Sequence, residues 1–92
     1  MNPLEVLHID DDAELCATVQ AELGARGMQV TSADCGSAGL ASARSRAYDV
    51  IVLDRMLPDM SGLEVLRALR AAGVAAPVLM LSALGMSSSR VE

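Results

Sequence analysis

Apolar residues in this chain fall into short runs separated by longer segments in which they recur every third or fourth position. Leu4–Ile9 is a brief apolar run halted by Asp10, Asp11 and Asp12, and a run of that length between breakers predicts a strand. Asp12 stands where a helix N-cap belongs. Leu15, Val19 and Leu23 then recur at four-residue spacing, predicting a helix that Gly24 and Gly27 weaken and end. Met28–Ala33 reads as a second strand, Ser37–Ala47 as an alanine-rich second helix, and Asp49–Asp54 as a third strand with an uninterrupted apolar centre. Pro58 and Gly62 bracket a loop, and Ser61 is placed to cap a third helix, with Leu63, Leu66, Leu69 and the flanking Val65 toward the sheet. Gly73 ends that helix and Pro77 opens a fourth strand, Val78–Ser82. The remaining Ala83–Glu92 offers a cap at Ser87–Ser89 and barely one turn of a further helix.

The order β-α-β-α-β-α-β, with strands apolar throughout, predicts a parallel sheet buried on both faces rather than a half-solvated antiparallel one. Right-handed crossovers then make a doubly wound α/β sheet, whose ligand site lies beyond the carboxyl ends of its strands.

A chain of 92 residues has room for one hydrophobic core, since independent domains peak at about 100–150 residues. Composition alters this picture in three ways. The apolar runs fall well short of the ~20 residues that span a bilayer, and Met1-Asn-Pro lacks a basic leader, so a soluble, cytoplasmic domain with no membrane partner is expected. A net charge of −5 argues against direct contact with a nucleic-acid backbone, and the single aromatic residue, Tyr48, leaves no stacking platform for bases. All seven basic residues are arginines, so no lysine is available for chemistry. Cys16 and Cys35 lack metal-ligand spacing and are expected as buried free thiols with no assigned role.

The candidate chemistry lies at two strand ends. Asp10 and Asp11 close the first strand and Asp54 closes the third, so neighbouring strands would bring three carboxylates together. At an effective dielectric of about 20, each close pair costs on the order of 4 kcal/mol at 4 Å, which calls for a compensating cation. A hard divalent ion such as Mg²⁺ takes one or two carboxylates plus waters and a phosphate. A carboxylate at such a site can also act as a nucleophile toward a phosphoryl group. Asp12 is read as a helix cap, and Asp34 and Asp59 as solvated loop acids.

The segments V-L-H-I-D-D-D, Y-D-V-I-V-L-D-R-M-L-P-D-M-S-G-L-E-V-L-R and P-V-L-M-L-S-A together resemble the receiver domain of two-component response regulators, from Leu4 to about Ala83. The resemblance implies a flavodoxin-like sheet of order 2-1-3-4 in this chain, lacking the family's fifth strand and last helix. It implies that Asp54 accepts a phosphoryl group from the phosphohistidine of a sensor histidine kinase. Asp11 would ligate Mg²⁺ directly and Asp10 largely through water, with Asp54 itself and the Met56 backbone carbonyl completing the protein's metal ligands. Ser82 would hydrogen-bond the phosphoryl oxygen and act as the switch, while Pro58 and Gly62 shape the loop. Ala83 would leave room for the donor. Apolar Met56 and Leu84, flanking the phosphoryl position, are expected to hinder water and lengthen the lifetime of the aspartyl phosphate. His8 stands where the family usually has an aliphatic residue, and a buried neutral imidazole is expected.

The family's lysine has no counterpart here, so phosphotransfer is expected to be impaired while metal binding survives. The chain is read as a single, C-terminally truncated receiver domain over 1–92, not an enzyme beyond at most weak autophosphatase action, with any output domain lying past Glu92. An open fourth-strand edge, Val78–Leu81, is expected to promote self-association by edge pairing or by exchange of the C-terminal segment. A non-catalytic metal-binding or protein-interaction module is the alternative, and a Mg²⁺-dependent phosphate-ester enzyme a distant third.

Overall fold

The computed structural model describes residues 2–81 and 90–91. Eight elements alternate along it: β1 (Glu5–Ile9), α1 (Ala13–Gly24), β2 (Gln29–Ala33), α2 (Gly36–Ser45), β3 (Val50–Asp54), α3 (Gly62–Ala71), β4 (Val78–Leu81) and the two-residue β5 (Arg90–Val91). They form one sheet of order β2-β1-β3-β4-β5, with the first four strands parallel, as the expected 2-1-3-4 order requires. The expected helix caps are present. Asp12 accepts the Leu15 N–H at 3.0 Å and Ser61 accepts the Glu64 N–H at 3.2 Å. Helices α1 and α3 close on Gly27 and Gly73, whose φ of 85° and 83° lies in the left-handed region that a Cβ disfavours.

Register stacks Leu7, Ile51 and Val78 in one row and Ile9, Leu53 and Met80 in the next, on the face covered by α2 and α3. Val65, Leu66 and Leu69 of α3 seal these rows. Leu63, expected on that face, is instead 48% exposed, because the helix buries the stripe one position away. Gly39 lets α2 lie close on β1, since a Cβ there would meet the Ile9 side chain at 2.5–2.9 Å.

Burial on both faces holds only in part. Val6 and His8 are buried on the second face, but Val50, Val52, Leu79 and Leu81 are half-buried. The reason is that α1, the helix over β2 on that side, contributes no fully buried residue.

Two further expectations change. The β4 edge is not open along its whole length, because β5 pairs antiparallel with it, Val91 opposite Leu79 and Arg90 opposite Met80. Self-association through a bare β4 edge therefore loses its structural premise at those positions. Arg90 and Val91, assigned above to a turn of helix, are extended; the cap expected at Ser87–Ser89 lies outside the described residues.

Candidate functional site

Ile9 and Leu53 are register partners, so the next residue on each strand, Asp10 and Asp54, leaves the sheet side by side. Asp11 follows Asp10 in the turn into α1. One carboxylate oxygen from each of Asp10, Asp11 and Asp54 lies within 4.8 Å of the others. Asp10 is buried at 4% exposure, Asp54 is half-buried and Asp11 is exposed, giving a cup with a closed floor and an open rim. Burial, then the neighbouring Asp10 charge, hold the Asp54 carboxyl above its ordinary pKa, with backbone N–H groups of Arg55 and Met56 pulling the other way. Asp10 is tied down by the Asp12 N–H, which donates to its Oδ1 at 2.9 Å, and its Oδ2 lies 3.5 Å from Nε2 of the fully buried His8.

The loop after Asp54 is folded back tightly. Gly62 N–H donates to the Arg55 carbonyl at 2.6 Å and Leu57 N–H to the Met60 carbonyl at 3.1 Å. A Cβ at Gly62 would collide with the Asp54 carbonyl oxygen and lie 3.1 Å from Arg55 Cα, so only glycine lets α3 start against the end of β3. This is the role expected of Gly62. Met56 bridges to Ser61 within the loop and its side chain is 61% exposed beside the cup. Ser82, Ala83 and Leu84 lie outside the described residues.

Asp59 is an exposed loop acid, as expected, but it has a further role: its Oδ1 accepts the Gly36 N–H at 2.7 Å and its Oδ2 the Ser37 N–H at 2.9 Å. The residue at the N-cap of α2, Cys35, makes no side-chain cap bond, so a carboxylate from the distant loop replaces it. The local hint was a helix start with cysteine and glycine where a capping side chain belongs. Bonds from Ser37 and then Gly36 hold the Asp59 carboxyl below its ordinary pKa. Its contribution to stability is thus present above the unfolded pKa and is lost as pH falls through the folded one. Asp59→Ala should lower the melting temperature at neutral pH, and the deficit should close as pH drops below the usual carboxylate range.

Asp34 is an exposed loop acid, as expected. The cysteines are free but half-buried rather than buried. The Cys16 thiol donates to the Asp10 carbonyl at 3.4 Å, and burial followed by the Asp10 charge pushes its pKa up, consistent with a thiol that does no chemistry. No described helix is long and apolar enough to cross a membrane.

The donor set fits Mg²⁺. Three hard carboxylate oxygens meet at a partly open rim that leaves room for water ligands, the kind of donor set this ion takes.

Known proteins resemble this chain in sequence and fold. The chain is 44% identical over 89 residues to the probable transcriptional regulatory protein TcrX of Mycobacterium tuberculosis, covering 97% of this chain and 38% of that regulator. It thus spans under two fifths of that relative's length. Among solved structures, the receiver domain of the Francisella response regulator 1452 superposes with a TM-score of 0.84 at 33% identity, covering 91% of this chain and 69% of that one. The response regulator TrrA of Thermotoga maritima, solved in complex with Mg²⁺ and BeF, superposes with a TM-score of 0.83 at 28% identity, covering 92% of this chain and 74% of that one. The family model of the response regulator receiver domain matches residues 6–92, and the chain belongs to that family.

Proposed function

We propose that the chain is a Mg²⁺-dependent phospho-acceptor, receiving a phosphoryl group on Asp54 from the phosphohistidine of a sensor histidine kinase and passing the signal to an output. The observation that carries this reading is the convergence of Asp10, Asp11 and Asp54 at the carboxyl ends of adjacent parallel strands. The topology of doubly wound sheets puts ligand sites at that rim.

Asp10 and Asp11, with the Met56 backbone carbonyl, are the groups we assign to the cation beside Asp54. Magnesium, when bound, offsets charge on the transferring phosphoryl oxygens. An Asp54 carboxylate oxygen forms the new O–P bond as the N–P bond of the donor breaks, and the departing imidazole nitrogen keeps the bonding pair and takes a proton. The buried floor of the cup keeps Asp10 from rotating away, and the open rim admits the donor. Ser82, which follows Leu81 in the sequence, is the assigned partner of the phosphoryl oxygen. Domain boundaries of 1–92, the kinase and the output are parts of the same proposal.

Magnesium provides the test. A ligand at ten times its dissociation constant stabilises a fold by roughly 1.4 kcal/mol, which for a domain of this size is a rise of about 5–10 °C in melting temperature. Mg²⁺ should produce such a rise in this chain, and Asp11→Ala should remove most of it. An equal rise in Asp11→Ala would mean that the cation binds elsewhere.

A further inference from the structure

Among the described residues, the buried side-chain nitrogens left without a hydrogen-bond partner belong to one ring, Nδ1 and Nε2 of His8. The ring is 0% exposed and lies in register between Ser32 of β2 and Val52 of β3, and an aliphatic side chain would fill the position with no polar group to desolvate. Nε2 nevertheless faces an acceptor, Oδ2 of Asp10 at 3.5 Å. The other oxygen of that carboxylate is already held by the Asp12 N–H. Because Asp10 is itself 4% exposed, little water reaches Oδ2 to serve as a substitute donor.

Resting on the magnesium-cup reading above, we propose that His8 is a positioning residue. Its Nε2–H, 3.5 Å from Oδ2 of Asp10 and outside hydrogen-bonding geometry, acts on that oxygen as a nearby dipole and biases the carboxylate, already held at Oδ1 by the Asp12 N–H, toward the orientation the cation meets. The tautomer follows from the geometry, since a bare Nε2 lone pair aimed at a carboxylate oxygen would repel it. Groups that orient a metal-binding carboxylate from behind typically change metal affinity by about 10–100-fold when removed. Here the lower end applies, because Asp12 retains the other oxygen.

The test compares the wild type with His8→Val, which removes the donor, and His8→Gln, whose amide restores one at similar reach. Magnesium affinity is read from the dependence of melting temperature on Mg²⁺ concentration, so that a change in baseline stability does not enter. We expect about tenfold weaker binding in His8→Val and recovery of most of that loss in His8→Gln. Long-range ¹⁵N NMR of the metal-free wild type should show the proton on Nε2. Equal affinity in all three proteins, or loss in both variants alike, would overturn the proposal, as would a proton on Nδ1 alone. If wild-type protein shows no magnesium response at all, the cup reading itself has failed and this proposal with it. A response in the wild type matched by His8→Val fails the histidine alone.

Discussion

Asp54→Asn should take up no phosphoryl group from acetyl phosphate and Mg²⁺, by intact mass, under conditions that modify the wild type, and should at the same time melt higher than the wild type when both are metal-free. The two outcomes have one cause. The carboxylate we propose as the nucleophile is also a negative charge beside Asp10 and Asp11, part-buried and held above its ordinary pKa by burial and then by Asp10. Removing one charge from such a pair is worth roughly 1 kcal/mol at the dielectric of water and about 4 kcal/mol at a dielectric of 20. With the rim open, the lower figure applies, a rise of about 4–8 °C. The pH dependence has a definite sign. A raised folded pKa makes the folded state take up its proton first, so the wild type's handicap is full above the folded pKa and gone below the unfolded one. The gap between variant and wild type should narrow as pH falls through the window just above the ordinary carboxylate range. Magnesium should reverse the order by stabilising the wild type more. Phosphoryl uptake by Asp54→Asn, or a metal-free variant that melts lower, would count against Asp54 as the acceptor in a repulsive cup.

Much of this was legible before the structure. The strands ending in Asp10 and Asp54 carry their own signal, an apolar run stopped by acid, whereas the order that makes them neighbours is what the family resemblance implies. The caps Asp12 and Ser61 are local, each bonding a backbone N–H three residues on, so sequence spacing finds them. Asp59 is different. Its partners, Gly36 and Ser37, are brought to it only by the packing of α2 against the loop, and no pattern along the chain encodes that approach. Leu63 was misjudged for a related reason, because helix periodicity gives a stripe but leaves open which margin of it faces solvent. Burial of both sheet faces failed where burial depends on what covers the sheet, and strand composition does not report that α1 covers it incompletely. His8 was legible as buried, but not its orphaned ring nitrogens or their approach to Asp10. The antiparallel seating of Arg90–Val91 on β4 is a pairing between a strand and a distant two-residue segment, too short to carry any alternation of its own.

Gly62→Ala carries the second large effect, because it acts on the fold and the cup together. The Cβ added at Gly62 would strike the Asp54 carbonyl oxygen and crowd the Arg55 backbone, and neither is a flexible side-chain end that can swing aside. Overpacking of this kind costs about 1–3 kcal/mol, and for a chain of this length a fall in melting temperature on the order of 10 °C follows. Relief of the clash requires α3 to back away from β3 or the 55–61 loop to shift, and either movement stretches the Gly62 N–H to Arg55 carbonyl bond that closes the loop. Met56, whose carbonyl we assign to the cation, sits inside that loop, and Asp54 immediately precedes it. Magnesium affinity should therefore weaken in Gly62→Ala beyond what its lower stability explains. Gly73→Ala supplies the comparison. Its φ of 83° makes alanine strained there, yet nothing lies within 4 Å of the added Cβ and the position is at the far end of α3 from the cup. Strain at a left-handed position destabilises by about 1 kcal/mol or more, so Gly73→Ala should also melt lower while binding Mg²⁺ like the wild type. Matched losses of magnesium affinity in the two variants would mean that the cup senses global stability and that the close approach at Gly62 plays no separate part in shaping it.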